Sequence, residues 1–139
     1  MANISDASVY EFVVCEFTAP KSLEALSEII NSAISISQPV SMRAGGTSLG
    51  GQAIGSGAVI DVSKHLNNIL DYQPDLHEIT VEPGVIQDDL NDLVAADGLR
   101  FAPDTSTSNR AMIGGMIGNN SCGSYSVYYG TTREHVKSL

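Results

Sequence analysis

Eleven of the thirteen glycines of this chain lie in two segments, and neither segment contains an acidic residue. The first holds Gly45, Gly46, Gly50, Gly51, Gly55 and Gly57, and the second holds Gly114, Gly115, Gly118, Gly123 and Gly130. The chain as a whole is acidic, with sixteen Asp and Glu against seven Lys and Arg. Backbone N–H groups that are kept away from carboxylates suit an anionic ligand. The glycine segments are therefore the first candidates for a binding site.

Length and composition exclude several classes of protein. A chain of 139 residues suits one compact domain with a sizeable core. It has no apolar run of about 18 residues and no signal-peptide pattern, so we expect a cytoplasmic protein without a membrane span. Cys15 and Cys122 are too few for a disulfide framework or a zinc site, and we expect Cys122 to be a small buried apolar residue. The net charge of −9 argues against nucleic acid as a partner.

The first half of the chain predicts an α/β unit with parallel pairing. Residues 10–16 are rich in β-formers, residues 40–42 predict a second strand, and residues 58–62 predict a third, largely buried strand. Between the first two, Ser22 is a candidate N-cap and Glu24 suits the first turn of a helix. Its predicted inward face comprises Leu23, Leu26, Ile29, Ile30, Ala33 and Ile34.

The second half predicts a different arrangement. Residues 77–82 alternate polar and apolar residues, as a half-exposed strand does. Residues 86–97 predict an amphipathic helix that ends before Gly98. Its predicted inward residues are Ile86, Leu90, Leu93 and Val94. Residues 63–76 are predicted to contain the boundary between two lobes.

The segment RAGGTSLGGQ, residues 43–52, fits several motifs incompletely. Ser48 stands in a G-x-S-x-G pattern, but the following residues form helices poorly, whereas a serine-hydrolase elbow requires a helix there. Gln52 stands where a Walker loop requires lysine. Gly55 and Gly57 lack the third glycine and the helix of a dinucleotide fingerprint.

The remaining interpretation is a phosphate-binding loop that opens with Arg43. Successive backbone N–H groups in such a loop form a concave site for phosphate oxygens, and Thr47 and Ser48 add hydroxyl donors. Glycine permits close approach and positive φ. The alternative is a long flexible loop that binds nothing.

The second glycine segment also allows two interpretations. Gly114 and Gly115 within an apolar run would let a flat ring lie against the backbone, with Asn119, Asn120 and Ser121 offering polar groups. The alternative is a core helix packed through its glycines. The three histidines, His65, His77 and His135, show no metal spacing and are expected to be solvated or structural.

Four segments in order resemble the FAD-binding, PCMH-type domain of the vanillyl-alcohol-oxidase flavoproteins. They are RAGGTSLGGQ (43–52), EPGV (82–85), FAPDTSTSNRAMIGGMIGNNSCG (101–123) and YYGTTREHV (128–136). The closest branch contains the glycolate oxidase subunit, D-lactate dehydrogenase and D-2-hydroxyglutarate dehydrogenase. The resemblance extends from about Glu16 to Leu139.

The resemblance implies an α+β fold and a cofactor. Residues 1–65 would form a small parallel α/β lobe with the pyrophosphate loop, and residues 66–139 an incomplete antiparallel-sheet lobe, with FAD between them. The implied FAD-binding residues of the loop are Arg43, Ala44, Gly45, Gly46, Thr47 and Ser48. Those of the second lobe are Pro83, Gly84, Val85, Asp104, Ser106, Ile113, Gly114, Gly115, Asn120 and Gly123.

The resemblance also implies an activity, namely hydride transfer from the α-carbon of a 2-hydroxy acid to flavin N5. Thr47 stands where covalent relatives place a flavin-linking histidine, so noncovalent FAD is expected. No residue resembles the family's substrate-binding, metal-binding or catalytic groups, which lie in a later cap. We therefore expect an N-terminal fragment without substantial turnover. Its incomplete second lobe should leave an exposed sheet edge, so we expect a homodimer or poor solubility. The remaining alternatives are a non-catalytic flavin or nucleotide module and a serine hydrolase using Ser48.

Overall fold

A computed structural model describes residues 2–14 and 16–139, and Cys15 therefore lies outside the described residues. The chain divides into two compact units, one ending at Leu66 and the other spanning Asn67–Leu139. The interpretation of these units as the two lobes of one cofactor-binding domain, without a substrate cap, stays a prediction.

The first unit combines a hairpin with a parallel sheet. Its elements are β1 (Ala2–Ser5), β2 (Glu11–Val14), β3 (Glu16–Thr18), α1 (Leu23–Ser35), β4 (Val40–Arg43) and β5 (Ala58–Asp61). β1 and β2 pair antiparallel, whereas β3, β5 and β4 form a parallel sheet with β5 in the centre. All four residues of β5 are buried, as its apolar sequence predicts. The predicted small parallel α/β lobe is confirmed.

The prediction of one strand over residues 10–16 is wrong. Glu11–Val14 pairs with β1, while Glu16–Thr18 pairs with β5 in a different sheet. A continuous run of β-formers does not reveal this change, because β5, the partner of Glu16–Thr18, is distant in sequence. β1 itself had no signal in the sequence analysis.

Helix α1 begins as predicted, since the Ser22 side chain accepts a hydrogen bond from the Ala25 N–H at 3.2 Å. Its apolar stripe is only partly covered. Ala33 is buried, but Leu23 and Ile34, both predicted to face inward, are more than half exposed. The two exposed residues lie near the two ends of the helix.

The second unit contains a hairpin and three helices. Its elements are β6 (Ile69–Gln73), β7 (Glu78–Val81), α2 (Gln87–Val94), α3 (Ile113–Asn119) and α4 (Ser126–Tyr129). β6 and β7 pair antiparallel, which confirms the predicted type of sheet. β6 lies within residues 63–76, where no strand was predicted. The apolar alternation of β6 is broken at Leu70 and Asp71, where its register with β7 is also irregular, so the pairing with β7 defines this strand.

Helix α2 is shorter than predicted. It ends at Val94, a 3-10 turn follows over Ala95–Asp97, and Gly98 closes it at a φ of +69°. Leu90 and Val94 are buried as predicted, whereas Leu93 is 40% exposed and lies outside the core. The buried core of this unit consists of Val85, Leu90, Val94, Ala111, Ile113 and Met116.

Over the described ranges 2–14 and 16–139, no helix combines the length and the apolar character needed to cross a bilayer.

Candidate functional site

The first glycine segment forms a loop between two parallel strands. It leaves the carboxyl end of β4 at Arg43 and reaches β5 at Ala58 without any helical turn. The Ser48 hydroxyl hydrogen-bonds to the side-chain oxygen of Gln52 within this loop. A serine-hydrolase elbow needs a helix directly after the serine and a base at its hydroxyl. The local structure of Ser48 has neither feature.

Five successive backbone N–H groups of this loop are available as donors. They belong to Ala44, Gly45, Gly46, Thr47 and Ser48, which are all half-buried. Among the residues that the structure describes, none accepts a hydrogen bond from these five groups. Gly46 has a φ of +62°, a conformation that residues with a side chain rarely adopt. Successive N–H groups without a protein acceptor can donate to a bound anion, and a phosphate supplies several acceptor oxygens.

The guanidinium of Arg43 lies directly against this loop. A Cβ built on Gly46 would stand 2.5 Å from Nη2 of Arg43. Nη1 of the same side chain donates to the carbonyl oxygen of Ser5 at 2.9 Å. The positive charge is therefore held at the bend of the loop, where it adds to the attraction for an anion.

One carboxylate reaches the loop, and its oxygens are already engaged. Asp6 accepts hydrogen bonds from the Ser8 N–H at 2.8 Å and from the Ala53 N–H at 3.4 Å. Burial acts to raise the pKa of Asp6, but the hydrogen bonds from Ser8 and Ala53 and the charge of Arg43 outweigh it, and the pKa lies below its usual value. Asp6 is therefore ionised at neutral pH and bound to the protein's own backbone.

In the second unit, the structure brings together the predicted residues around the Pro83 turn and α3. The Ile113 N–H donates to the carbonyl of Val85, and the Gly114 N–H donates to that of Pro83, both at 2.9 Å. A Cβ on Gly114 would stand 2.5 Å from the Cβ of Pro83. Gly114 is therefore needed for the close approach of these two segments. Gly84 is buried in the turn, and Gly115 is half-buried on α3.

A second cluster contains Asp104 and Gly123. The Gly123 Cα lies so close to the Asp104 carbonyl that an added Cβ would overlap the oxygen. The side chain of Asp104 faces Arg100, with 3.2 Å between Oδ1 and Nη2. Ser106, in the same loop, is exposed.

Buried Gln87 holds this loop from the start of α2. Its side chain is fully buried, donates to the Pro103 carbonyl and accepts from the Thr105 hydroxyl at 2.8 Å. The sequence analysis missed Gln87. Its spacing from Leu90 and Val94 on one helical face was the available signal.

Two predicted binding residues have structural roles for their side chains. Asn120 ends α3 at a φ of +48°, and its Oδ1 accepts the Arg133 N–H at 2.9 Å. The Ile113 side chain belongs to the hydrophobic core. The Ile113 side chain is therefore unavailable to a ligand, whereas Asn120 keeps its Nδ2 as a side-chain donor.

With this geometry in view, similarity to known proteins identifies the family. Residues 16–139 match the family described as an FAD binding domain. The chain belongs to this family. This membership confirms the family resemblance and FAD as the cofactor class that the sequence predicted.

Curated relatives of this FAD binding domain include oxidoreductases of the predicted branch. D-2-hydroxyglutarate dehydrogenase of Escherichia coli (strain K12) is 38% identical over 135 residues, which cover 95% of this chain and 13% of that protein. The glycolate oxidase subunit of Bacillus subtilis (strain 168) is 35% identical over 122 residues, covering 87% of this chain and 26% of that protein. The chain thus spans a minor part of the length of these relatives.

A solved structure supports the fold. Alkyldihydroxyacetonephosphate synthase superimposes with a TM-score of 0.76 at 18% identity, over 88% of this chain and 23% of that chain. At this identity the likeness concerns the fold alone, and it confirms the predicted PCMH-type architecture.

The cysteine and the histidines were the subject of two further expectations. Cys122 is exposed, so the prediction of a small buried apolar residue is wrong. It follows the left-handed Asn120 at the end of α3, where the chain turns away from the core. His65, His77 and His135 are exposed, and no group of three metal-binding side chains occurs in the described part of the chain.

Proposed function

We propose that this chain binds FAD noncovalently as the cofactor-binding part of an FAD-linked dehydrogenase or oxidase of 2-hydroxy acids. The observation that carries the proposal is the row of five N–H groups of the half-buried residues Ala44–Ser48, which donate to no described acceptor. Arg43 supplies a positive charge beside them.

The donor set of the loop fits a diphosphate. Backbone N–H groups bind phosphate oxygens without a counter-charge of their own, and one guanidinium offsets part of the negative charge. The nearby carboxylate of Asp6 is bound to the Ser8 and Ala53 N–H groups. The five N–H groups and Arg43 provide the attraction for a dianionic group.

In the second unit, the proposal assigns the rest of FAD to two backbone-lined clusters. Pro83, Gly84 and Val85 would hold the adenosine end. The ribityl chain and isoalloxazine would contact Asp104, Ser106, Ile113, Gly114, Gly115, Asn120 and Gly123. The close backbone packing at Gly114 and Gly123 supports this assignment, because it holds both segments rigidly.

The substrate class in the proposal comes from the relatives. FAD bound in this way supplies a hydride acceptor, and the chain's own residues bind and orient it. The relatives are named for D-2-hydroxyglutarate, glycolate and D-lactate. Because the chain matches a minor share of each, we expect this chain alone to bind cofactor with little turnover.

The test is calorimetric titration of the purified chain with FAD, ADP and adenosine. We expect FAD and ADP to bind, and adenosine to bind at least about tenfold more weakly because it lacks the diphosphate. Equal affinities for ADP and adenosine would remove the phosphate assignment of the loop. Absence of FAD binding would remove the proposed function.

Noncovalent attachment is tested separately. Thr47 carries no nucleophilic ring nitrogen for a flavin linkage, so acid precipitation of the loaded protein should leave the flavin in the supernatant. A yellow pellet would contradict noncovalent binding.

The proposal also includes a homodimer and a cytoplasmic location. The strands β6 and β7 of the second unit form a two-stranded sheet, so both are edge strands, and open edges favour pairing between copies. A monomer by light scattering at high concentration would contradict dimerisation.

The exposed thiol of Cys122 suits a reducing compartment, and cell fractionation tests the cytoplasmic location.

A further inference from the structure

The phosphate loop is held by residues that lie outside the matched family region. The FAD binding domain match begins at residue 16, whereas residues 5–10, at the end of β1 and in the turn that leads to β2, contact the loop at both of its ends. We propose that residues 5–10 form a clamp that holds the loop in its phosphate-accepting conformation, with Asp6 as the main positioning residue. This inference rests on the proposed function.

At the first end, the clamp orients the backbone of the loop. The Ala7 N–H donates to the Gly46 carbonyl at 3.0 Å, and the Ser5 carbonyl accepts from Arg43. The Gly46 carbonyl and the Thr47 N–H belong to one planar trans peptide and therefore point in opposite directions. Binding of the carbonyl by the clamp thus turns the Thr47 N–H away from the clamp, toward an incoming anion.

At the other end, Asp6 and Tyr10 hold the part of the loop that leads back to β5. Asp6 accepts the Ala53 N–H and is fixed in place by the Ser8 N–H. The ring of Tyr10 lies against Gly51, where Cδ2 would stand 3.1 Å from an added Cβ. Gly51 itself has a φ of +77°. The loop is therefore restrained on both sides of the five N–H groups.

The clamp is part of the folded unit. Ile4 of β1 is buried in one cluster with Ile54 and Val59. The hairpin register, from Ala2 opposite Val14 to Ser5 opposite Glu11, sets where the turn emerges. Restraint of a binding loop before the ligand arrives reduces the entropy lost on binding, and so raises affinity.

The test compares Asp6→Asn with the matched control Glu11→Gln. Both variants remove one negative charge from the same hairpin, but Glu11 is an exposed residue of β2. An asparagine offers one acceptor oxygen where Asp6 uses two, so one of its two N–H contacts is lost. We expect Asp6→Asn to weaken ADP binding about tenfold, and Glu11→Gln to leave it within about twofold.

Two further readouts separate positioning from loss of stability. Adenosine affinity should stay unchanged in Asp6→Asn, because adenosine does not use the loop. In the cofactor-free protein, the heteronuclear NOE of the Gly46 and Gly51 amides should fall in Asp6→Asn and not in Glu11→Gln. If Asp6→Asn does not fold, Tyr10→Ala at a 55% exposed position replaces it, with about threefold weaker ADP binding expected.

Each outcome decides the inference. Equal ADP affinity in Asp6→Asn and Glu11→Gln overturns the clamp, as does an equal loss for ADP and adenosine. If the unaltered chain binds neither ADP nor FAD, the proposed function fails. The clamp is then judged by the Gly46 and Gly51 amides, and unchanged NOE values overturn it.

Discussion

Two glycines of the first segment and two of the second use their backbone in opposite ways. In the first, Gly46 and Gly51 adopt positive φ in a loop whose N–H groups at Ala44–Ser48 have no described acceptor. In the second, the Gly114 N–H donates to Pro83, and Gly123 lies against the Asp104 carbonyl. The loop around Gly46 and Gly51 presents its backbone, whereas Gly114 and Gly123 pack theirs.

The difference shows that glycine meets two separate physical demands. Positive φ requires glycine for conformation, and the neighbours of Gly46 and Gly51 are side chains, Arg43 and Tyr10. Gly114 and Gly123 instead admit a close approach of backbone or proline ring, where any Cβ would overlap. Substitutions in the two segments should therefore fail in different ways.

The largest expected effect is on the stability of the second segment. Gly123→Ala places a Cβ on the Asp104 carbonyl, and we expect a loss of about 3 kcal/mol or more in the free energy of unfolding. Gly118→Ala is the control, because nothing lies within 4 Å of its added Cβ on α3. It should be neutral or up to about 1 kcal/mol more stable. Denaturant unfolding measures both, and equal stabilities would contradict the packing role.

A smaller effect on stability, with a clear effect on binding, is expected in the first segment. Gly46→Ala costs about 1–2 kcal/mol for the left-handed conformation, and its Cβ displaces the Arg43 guanidinium. ADP affinity should fall by about tenfold or more, measured by calorimetry well below the unfolding temperature. In the control Gly55→Ala, the Cβ meets only the Ser41 side chain, which can rotate. A Gly46→Ala protein that binds ADP normally would show that the loop is not the phosphate site.

The smallest effect concerns an exposed contact that the glycine packing does not need. The hydroxyl of Tyr72 on β6 donates to Asp97 at 2.6 Å, and this hydrogen bond, with smaller contributions from desolvation and the charge of Asp97, raises the pKa of Tyr72 from 10.0 to about 12. The raised pKa means that the contact stabilises the fold fully below pH 10 and is lost as the pH rises through about 12. In Asp97→Asn, ultraviolet difference titration should return the Tyr72 pKa toward 10.0, with little change in Tm. A large fall in Tm would mean that the second unit depends on this contact.

Prediction from the sequence succeeded where signals were local or where motifs occurred in order. The Ser22 cap, the buried run at β5 and the stop at Gly98 follow from a few neighbouring residues each. Four motifs in order indicated the FAD binding domain. The division of residues 10–16 between two sheets, the strand β6 and the exposure of Cys122 were not predicted, because each depends on a distant segment or on the path of the chain.

The sequence by itself determined the family, the cofactor class and the place of the loop, because motif order and residue type suffice for these. The tertiary structure alone decided which groups hold the loop and which glycines are there for packing. Asp6 contacts Ala53 across 47 positions, Gln87 contacts Pro103 across 16, and Gly123 meets the Asp104 backbone. Such contacts join residues with no common local pattern. Their energy comes from burial and hydrogen bonds that exist only after the chain has folded.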